Sequence, residues 1–153
     1  TNLTKDQVIA IFAGNITNWS QVGGPDKTID VVAREEGSGT RTAFQDLVMG
    51  KVLIKADAIL QSSNGALKIA VSNDPNAVGF LSIGYVDSSV KALALNGIAA
   101  TEANAKNGTY PVVRPLYFLT KTQPTGIVKD FIDFCQSADG QKNVAQEGYI
   151  TIK

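Results

Sequence analysis

Arg34-Glu35-Glu36-Gly37-Ser38-Gly39-Thr40-Arg41 is the stretch on which the reading of this chain turns. It follows the apolar run Ile29-Asp30-Val31-Val32-Ala33, which reads as a buried strand. It precedes Thr42-Ala43-Phe44-Gln45-Asp46-Leu47-Val48-Met49, which reads as a helix. A strand, a tight turn and a helix start, in that order, build an anion site. The N–H groups of the first helical turn lack intrahelical acceptors and carry the positive end of the helix dipole. Arg34, at the strand end, adds a full charge and a planar fork of donors suited to an oxyanion. Ser38, Gly39 and Thr40 open the helix, and Glu36 is placed to pair with Arg34. A bare Gly-Ser-Gly-Thr is better read as an ordinary capped strand-to-helix connection. The company of Arg34 and of an acidic residue that can hold it puts the anion reading ahead. Arg41, one turn further on, is expected to pair with Glu35 or with an outside partner.

Composition removes competing chemistry. The chain has 153 residues, 44% of them hydrophobic, a size and content that support a folded core. Lys plus Arg and Asp plus Glu number 14 each, so the basic excess usual in a nucleic-acid binder is missing, and no nucleic-acid partner is expected. Without histidine there is no Ser-His-Asp or Cys-His mechanism, and the commonest metal ligand is gone. Cys135 is the single cysteine, which rules out an internal disulfide and a thiolate cluster; on the apolar side of its helix it reads as a small core residue. The turn lacks the spacing and lysine of a Walker loop, and it is not a dinucleotide-binding glycine turn. No cofactor, no metal and no enzymatic activity are expected. No apolar run reaches the length of a membrane span. Thr1 to Asp6 do not read as a signal peptide and look like a start within a longer chain.

The flanking sequence reads as alternating short helices and strands, hence an α/β sandwich. Thr4-Lys5-Asp6-Gln7 is a capping box, and Val8, Ile9, Ile11 and Phe12 follow at helical spacing until Gly14. Trp19 anchors a polar loop from Asn15 to Pro25. Residues 51–63 favour neither period. Ser63-Asn64-Gly65 starts a second helix, ended by Asn73-Asp74-Pro75-Asn76. Val78-Gly79-Phe80-Leu81 reads as a short buried strand. Val90 to Leu95 alternates loosely up to the Asn96-Gly97 turn. Thr101 to Lys106 reads as a short helix. Arg114 to Thr120 is the most aromatic strand, with Tyr117 as a packing anchor and Arg114 structural. Ile127 to Cys135 and Ala138 to Gln146 read as helices, and Tyr149 to Ile152 as a final extended piece. Asp133 and Asp139 read as solvated helix-face acids.

Taken together, these segments resemble the substrate-binding proteins of bacterial and archaeal phosphate ABC transporters. Leu3-Thr4 through Ile11-Phe12-Ala13-Gly14-Asn15-Ile16-Thr17-Asn18-Trp19 is similar to the entry into the second lobe of that family, and Arg34 to Arg41 to its phosphate-binding turn. Ser62 to Ala66, Val78 to Ser82, Arg114 to Tyr117 and the C-terminal helix also fit. The resemblance implies one lobe of a type II periplasmic-binding-protein-like fold, with a central mixed sheet flanked by helices. It implies a single α/β lobe over residues 1–153, the ligand-binding second lobe, with the first lobe absent from this chain. Family members are roughly twice this length, as two ordinary domains require. By position the phosphate-binding residues are Arg34, Ser38, Gly39 and Thr40, supported by Glu36 and Gly37. The implied partners are inorganic phosphate, the missing first lobe of the same protein and the permease subunits of the transporter. The implied location is extracytoplasmic, periplasmic or cell-surface, including lipid attachment through a preceding segment. Donors alone do not separate phosphate from sulfate, molybdate or tungstate, and a phosphate-sensing or interaction lobe without transport uses the same parts.

Overall fold

Val31, Val32 and Ala33 are all buried, as is Ile29 just before them, and their strand, Asp30–Arg34, is the middle of a three-stranded parallel sheet. In this computed structural model, which describes residues 2–152, the elements run as follows. β1 (Asn2–Leu3) leads into α1 (Lys5–Phe12); β2 (Asp30–Arg34) leads into α2 (Gly39–Phe44), which runs on as a π-turn over Gln45–Met49. β3 (Ile59–Gln61), α3 (Asn64–Asn73), β4 (Ala77–Val78), β5 (Ala94–Leu95) and α4 (Glu102–Lys106) follow. The last two are α5 (Gly126–Gln136) and α6 (Ala138–Gln146). The sheet order is β3-β2-β4, and β1 pairs with β5 separately. Every pairing between these strands is parallel, the form that βαβ crossovers produce, and antiparallel contacts occur as isolated bridges, Asn18 with Thr28 and Leu95 with Ile98. Thr1, the first residue of the start noted above, lies outside the described residues.

The chain divides into two compact units, Thr1–Val113 and Arg114–Lys153. In the first unit, α1 starts on the capping box read from sequence: Thr4 Oγ1 accepts from Gln7 N (3.1 Å) and Gln7 Oε1 from Thr4 N (2.9 Å). Phe12 of α1, Phe44 of α2 and Phe80 after β4 form a ring cluster. Phe44 and Phe80 are stacked with centroids 4.1 Å apart, and Phe12 lies 4.7 Å from Phe44. Such contacts add roughly 0.5–1.5 kcal/mol beyond area burial and seat α2 on the sheet. Trp19 is the anchor expected of it, packing on the core and donating from Nε1 to Asn76 O (2.9 Å). The ambiguous residues 51–63 contain β3, whose register sets Arg34 beside Gln61. The strand expected at Val78 to Leu81 is shorter: Phe80 turns into the ring cluster instead of extending β4.

Lys68 of α3 reaches Asp87 (2.7 Å) and ties that helix to the following loop. The Lys68 ammonium and the Ser89 hydroxyl and amide hold the Asp87 carboxyl well below its ordinary value of 3.8. A carboxyl whose folded pKa is depressed stabilises the fold above its unfolded pKa and loses that effect as pH falls through the folded one. The group is exposed, so the effect is small. Asp87→Asn is expected to lower the thermal midpoint at neutral pH, and the gap to the wild type is expected to shrink as pH is taken below 3.8. A gap constant with pH would contradict this reading.

In the second unit α5 and α6 form a tight helical pair. Ser137 between them donates from Oγ to Phe134 O (2.6 Å) and accepts from Gly140 N (3.2 Å). Lys129 pairs with Asp133, and Lys142 with Asp139 (2.8 Å), on solvated helix faces as expected. Two expectations are corrected here. Residues 114–120 form no strand, and Tyr117 is exposed, not a packing anchor. No helix among the described residues is long and apolar enough to cross a membrane.

Candidate functional site

The carboxyl ends of parallel strands are where open α/β sheets place their ligands. β2 ends at Arg34, and Gly37 follows with φ of +83°, a left-handed turn that a side chain would strain. Ser38 caps α2: it is buried, and its Oγ accepts from Arg41 N (3.3 Å), so its own proton remains free to be donated. The Gly39 and Thr40 N–H groups, at the first positions of the helix, have no acceptor among the described residues. Gly39 is exposed and Thr40 half-buried. The structure therefore brings Arg34, Ser38, Gly39 and Thr40 to one end of β2, as the sequence reading requires.

The pairing expected between Arg34 and Glu36 is not made. Arg34 donates from Nε to Gln61 O (3.1 Å), from Nη1 to Asn64 Oδ1 (3.1 Å) and from Nη2 to Ser62 O (3.1 Å). The β2–β3 register places these acceptors at the level of Arg34, whereas Glu36 lies exposed in the turn beyond it. A guanidinium has five N–H groups, so one on each terminal nitrogen remains available. Arg41 also departs from expectation. Its Nη1 donates to Arg34 O (2.5 Å), clamping the strand end to the helix, and it makes no ion pair with Glu35 among the described residues.

Two side chains join the site that the sequence reading did not place there. Asn64, the first residue of α3, accepts from Arg34 and donates from Nδ2 to Ser82 Oγ (3.3 Å). Ser82 Oγ lies 3.4 Å from Thr40 Oγ1. Three segments thus meet: the β2–α2 turn, the β3–α3 turn and the stretch after β4. Asn64 was legible as a helix start and, like Ser82, as part of a resemblance; no local pattern links Thr40 to Ser82, 42 residues apart. No group of acidic or cysteine side chains among the described residues could hold a metal ion.

Residues 1–139 match the family model described as the PBP superfamily domain. The chain belongs to that family. Its PBP superfamily domain is similar to the phosphate-binding protein PstS of Bacillus subtilis, 34% identical over 99% of this chain and 51% of the relative. It also matches a Clostridium perfringens structure with bound phosphate, described as a candidate phosphate ABC transporter substrate-binding protein. There the TM-score is 0.89 and the identity 41%, covering 99% of this chain and 63% of that one. An ABC-type phosphate transport receptor from Vibrio cholerae gives a TM-score of 0.84 at 40% identity, covering 99% of this chain and 64% of that one. The PBP superfamily domain thus has the type II periplasmic-binding-protein fold. The chain spans about half the length of the curated relatives it matches.

Proposed function

We propose that this chain binds inorganic phosphate at the β2–α2 turn, as part of the solute-binding component of an ABC-type phosphate import system. The observation that carries the reading is the set of unspent donors at one strand end: the Gly39 and Thr40 N–H groups and the two remaining N–H groups of Arg34. The Ser38 and Thr40 hydroxyls complete the donor set. The bound phosphate of the Clostridium perfringens relative supports the choice of ion. Gln61, Ser62 and Asn64 hold the arginine through neutral acceptors, so its charge is not cancelled before the anion arrives. Glu36 and Gly37 shape the turn. No bond is made or broken in this reading: the site is a binding site and not an enzyme's.

The chain acts as the second lobe of a clamp. The first lobe of the same protein supplies the remaining contacts, including an acceptor for the proton that phosphate carries. Closure of the two lobes buries the ion and presents it to permease subunits, which places the protein outside the cytoplasm. A second reading, a clamp lobe for sulfate, molybdate or tungstate, is favoured by the same donor set, since donors alone do not discriminate. Equilibrium binding of radiolabelled phosphate to the two-lobed protein, with these anions as competitors, separates the two. Phosphate is expected to resist a hundredfold excess of sulfate, because an acceptor facing sulfate is left buried and unpaired. Displacement by equimolar sulfate or molybdate would overturn the phosphate assignment.

A further inference from the structure

We infer that Asn64 and Ser82 are positioning residues of the anion site, acting through the Thr40 hydroxyl; the inference rests on the phosphate reading above. The polarity of the contact at Arg34 is fixed. A guanidinium only donates, so the Asn64 atom facing Arg34 Nη1 is the oxygen, and the amide nitrogen necessarily points the other way. That nitrogen donates to Ser82 Oγ. Ser82, with one lone pair taken, lies 3.4 Å from Thr40 Oγ1, and one of the two hydroxyls donates to the other. An anion at the helix start decides which. A charged acceptor outcompetes a neutral hydroxyl for the Thr40 proton. Thr40 then donates to the anion, and Ser82 donates to Thr40 Oγ1. The resulting chain, Arg34 to Asn64 to Ser82 to Thr40 to anion, runs donor to acceptor in one direction, and each bond polarises the next. Arg34 thus acts on the ligand twice: directly through its spare N–H groups, and indirectly by setting the direction of this chain.

The test is a double-mutant cycle on phosphate affinity, read by titrating inorganic phosphate into the 153-residue chain and into its variants, with thermal midpoints recorded alongside. Ser82→Ala is expected to weaken binding roughly two- to tenfold when Thr40 is present. In a Thr40→Val background the same substitution is expected to change nothing, because its effect has no route to the ligand. Ser82→Thr, which keeps the hydroxyl, is expected to restore binding. Asn64→Asp removes the Nδ2 donor but also sets a carboxylate against Arg34, so its loss in the Thr40→Val background measures the charge effect, and a further loss with Thr40 present is the expected coupling. Losses that simply add in both cycles would overturn the inference while leaving the phosphate site standing. A wild-type chain that shows no phosphate-dependent change would overturn both.

Discussion

Arg34→Ala is expected to lower phosphate affinity by roughly two to four powers of ten, the largest functional effect of any single substitution in this chain. Two charge-assisted hydrogen bonds remain for Arg34 to make, and each contributes about 1.5–3 kcal/mol net, against 1.4 kcal/mol per tenfold change in affinity. The substitution also strips a donor from Gln61 O, Ser62 O and Asn64 Oδ1, which loosens the join between β3 and α3. Arg34→Lys separates the two contributions. It keeps a positive charge but not the planar fork, so it cannot serve three acceptors and a ligand together. Partial recovery of affinity with the thermal midpoint still lowered is the expected pattern. Calorimetric titration of the three proteins measures it, and equal affinity in wild type and Arg34→Ala would remove Arg34 from the site.

Gly140→Ala is expected to give the largest loss of structure. A Cβ built on Gly140 lies 2.1 Å from Phe134 O and 2.8 Å from both the Cα and the O of Cys135. These are backbone atoms at the end of α5, so no side-chain rotation relieves the clash. The α5–α6 turn has to open, which breaks the Ser137 bonds to Phe134 O and Gly140 N and the Gln141 bond to Cys135 O. Overpacking costs roughly 1–3 kcal/mol even where neighbours can shift, and here the loss of these bonds adds to it. Amide hydrogen exchange should show α5 and α6 deprotected in the variant. Unchanged protection of α6 would mean that the close approach at Gly140 does not hold this pair together.

The parts of this fold that were legible in the sequence are those fixed by short-range chemistry. The Thr4–Gln7 capping box, the stop of α1 at a left-handed Gly14 and the helix start at Ser38 each involve groups within a few residues of one another, and each appears as read. β3 was not legible because it is three residues long, with Ile59 and Leu60 exposed, so burial imposes no alternation on it. The aromatic run from Arg114 to Thr120 looked like a strand because aromatic residues favour pleated surfaces. That preference describes packing against neighbours, and the second unit by itself contains no strand among its described residues to pair with the run. The site divides the same way. Arg34, Ser38, Gly39 and Thr40 sit in one turn and were readable together. The true partners of Arg34 lie 27 to 30 residues away and are reached only through the β2–β3 register. Glu36 is nearer in sequence but lies exposed in the turn beyond the strand end.

The central claim is that the helix start at Ser38 holds a phosphate ion. Its most direct test is a titration of the isotopically labelled chain with inorganic phosphate, following backbone amide resonances. A bound oxyanion accepts from the Gly39 and Thr40 N–H groups, so these two amides are expected to show the largest downfield shifts, saturating together, with the Arg34 side-chain N–H signals moving in step. Amides elsewhere in α1, α3 and α6 should stay in place. Shifts spread evenly over lysine-rich surface, or none at Gly39 and Thr40 at saturating phosphate, would contradict the account.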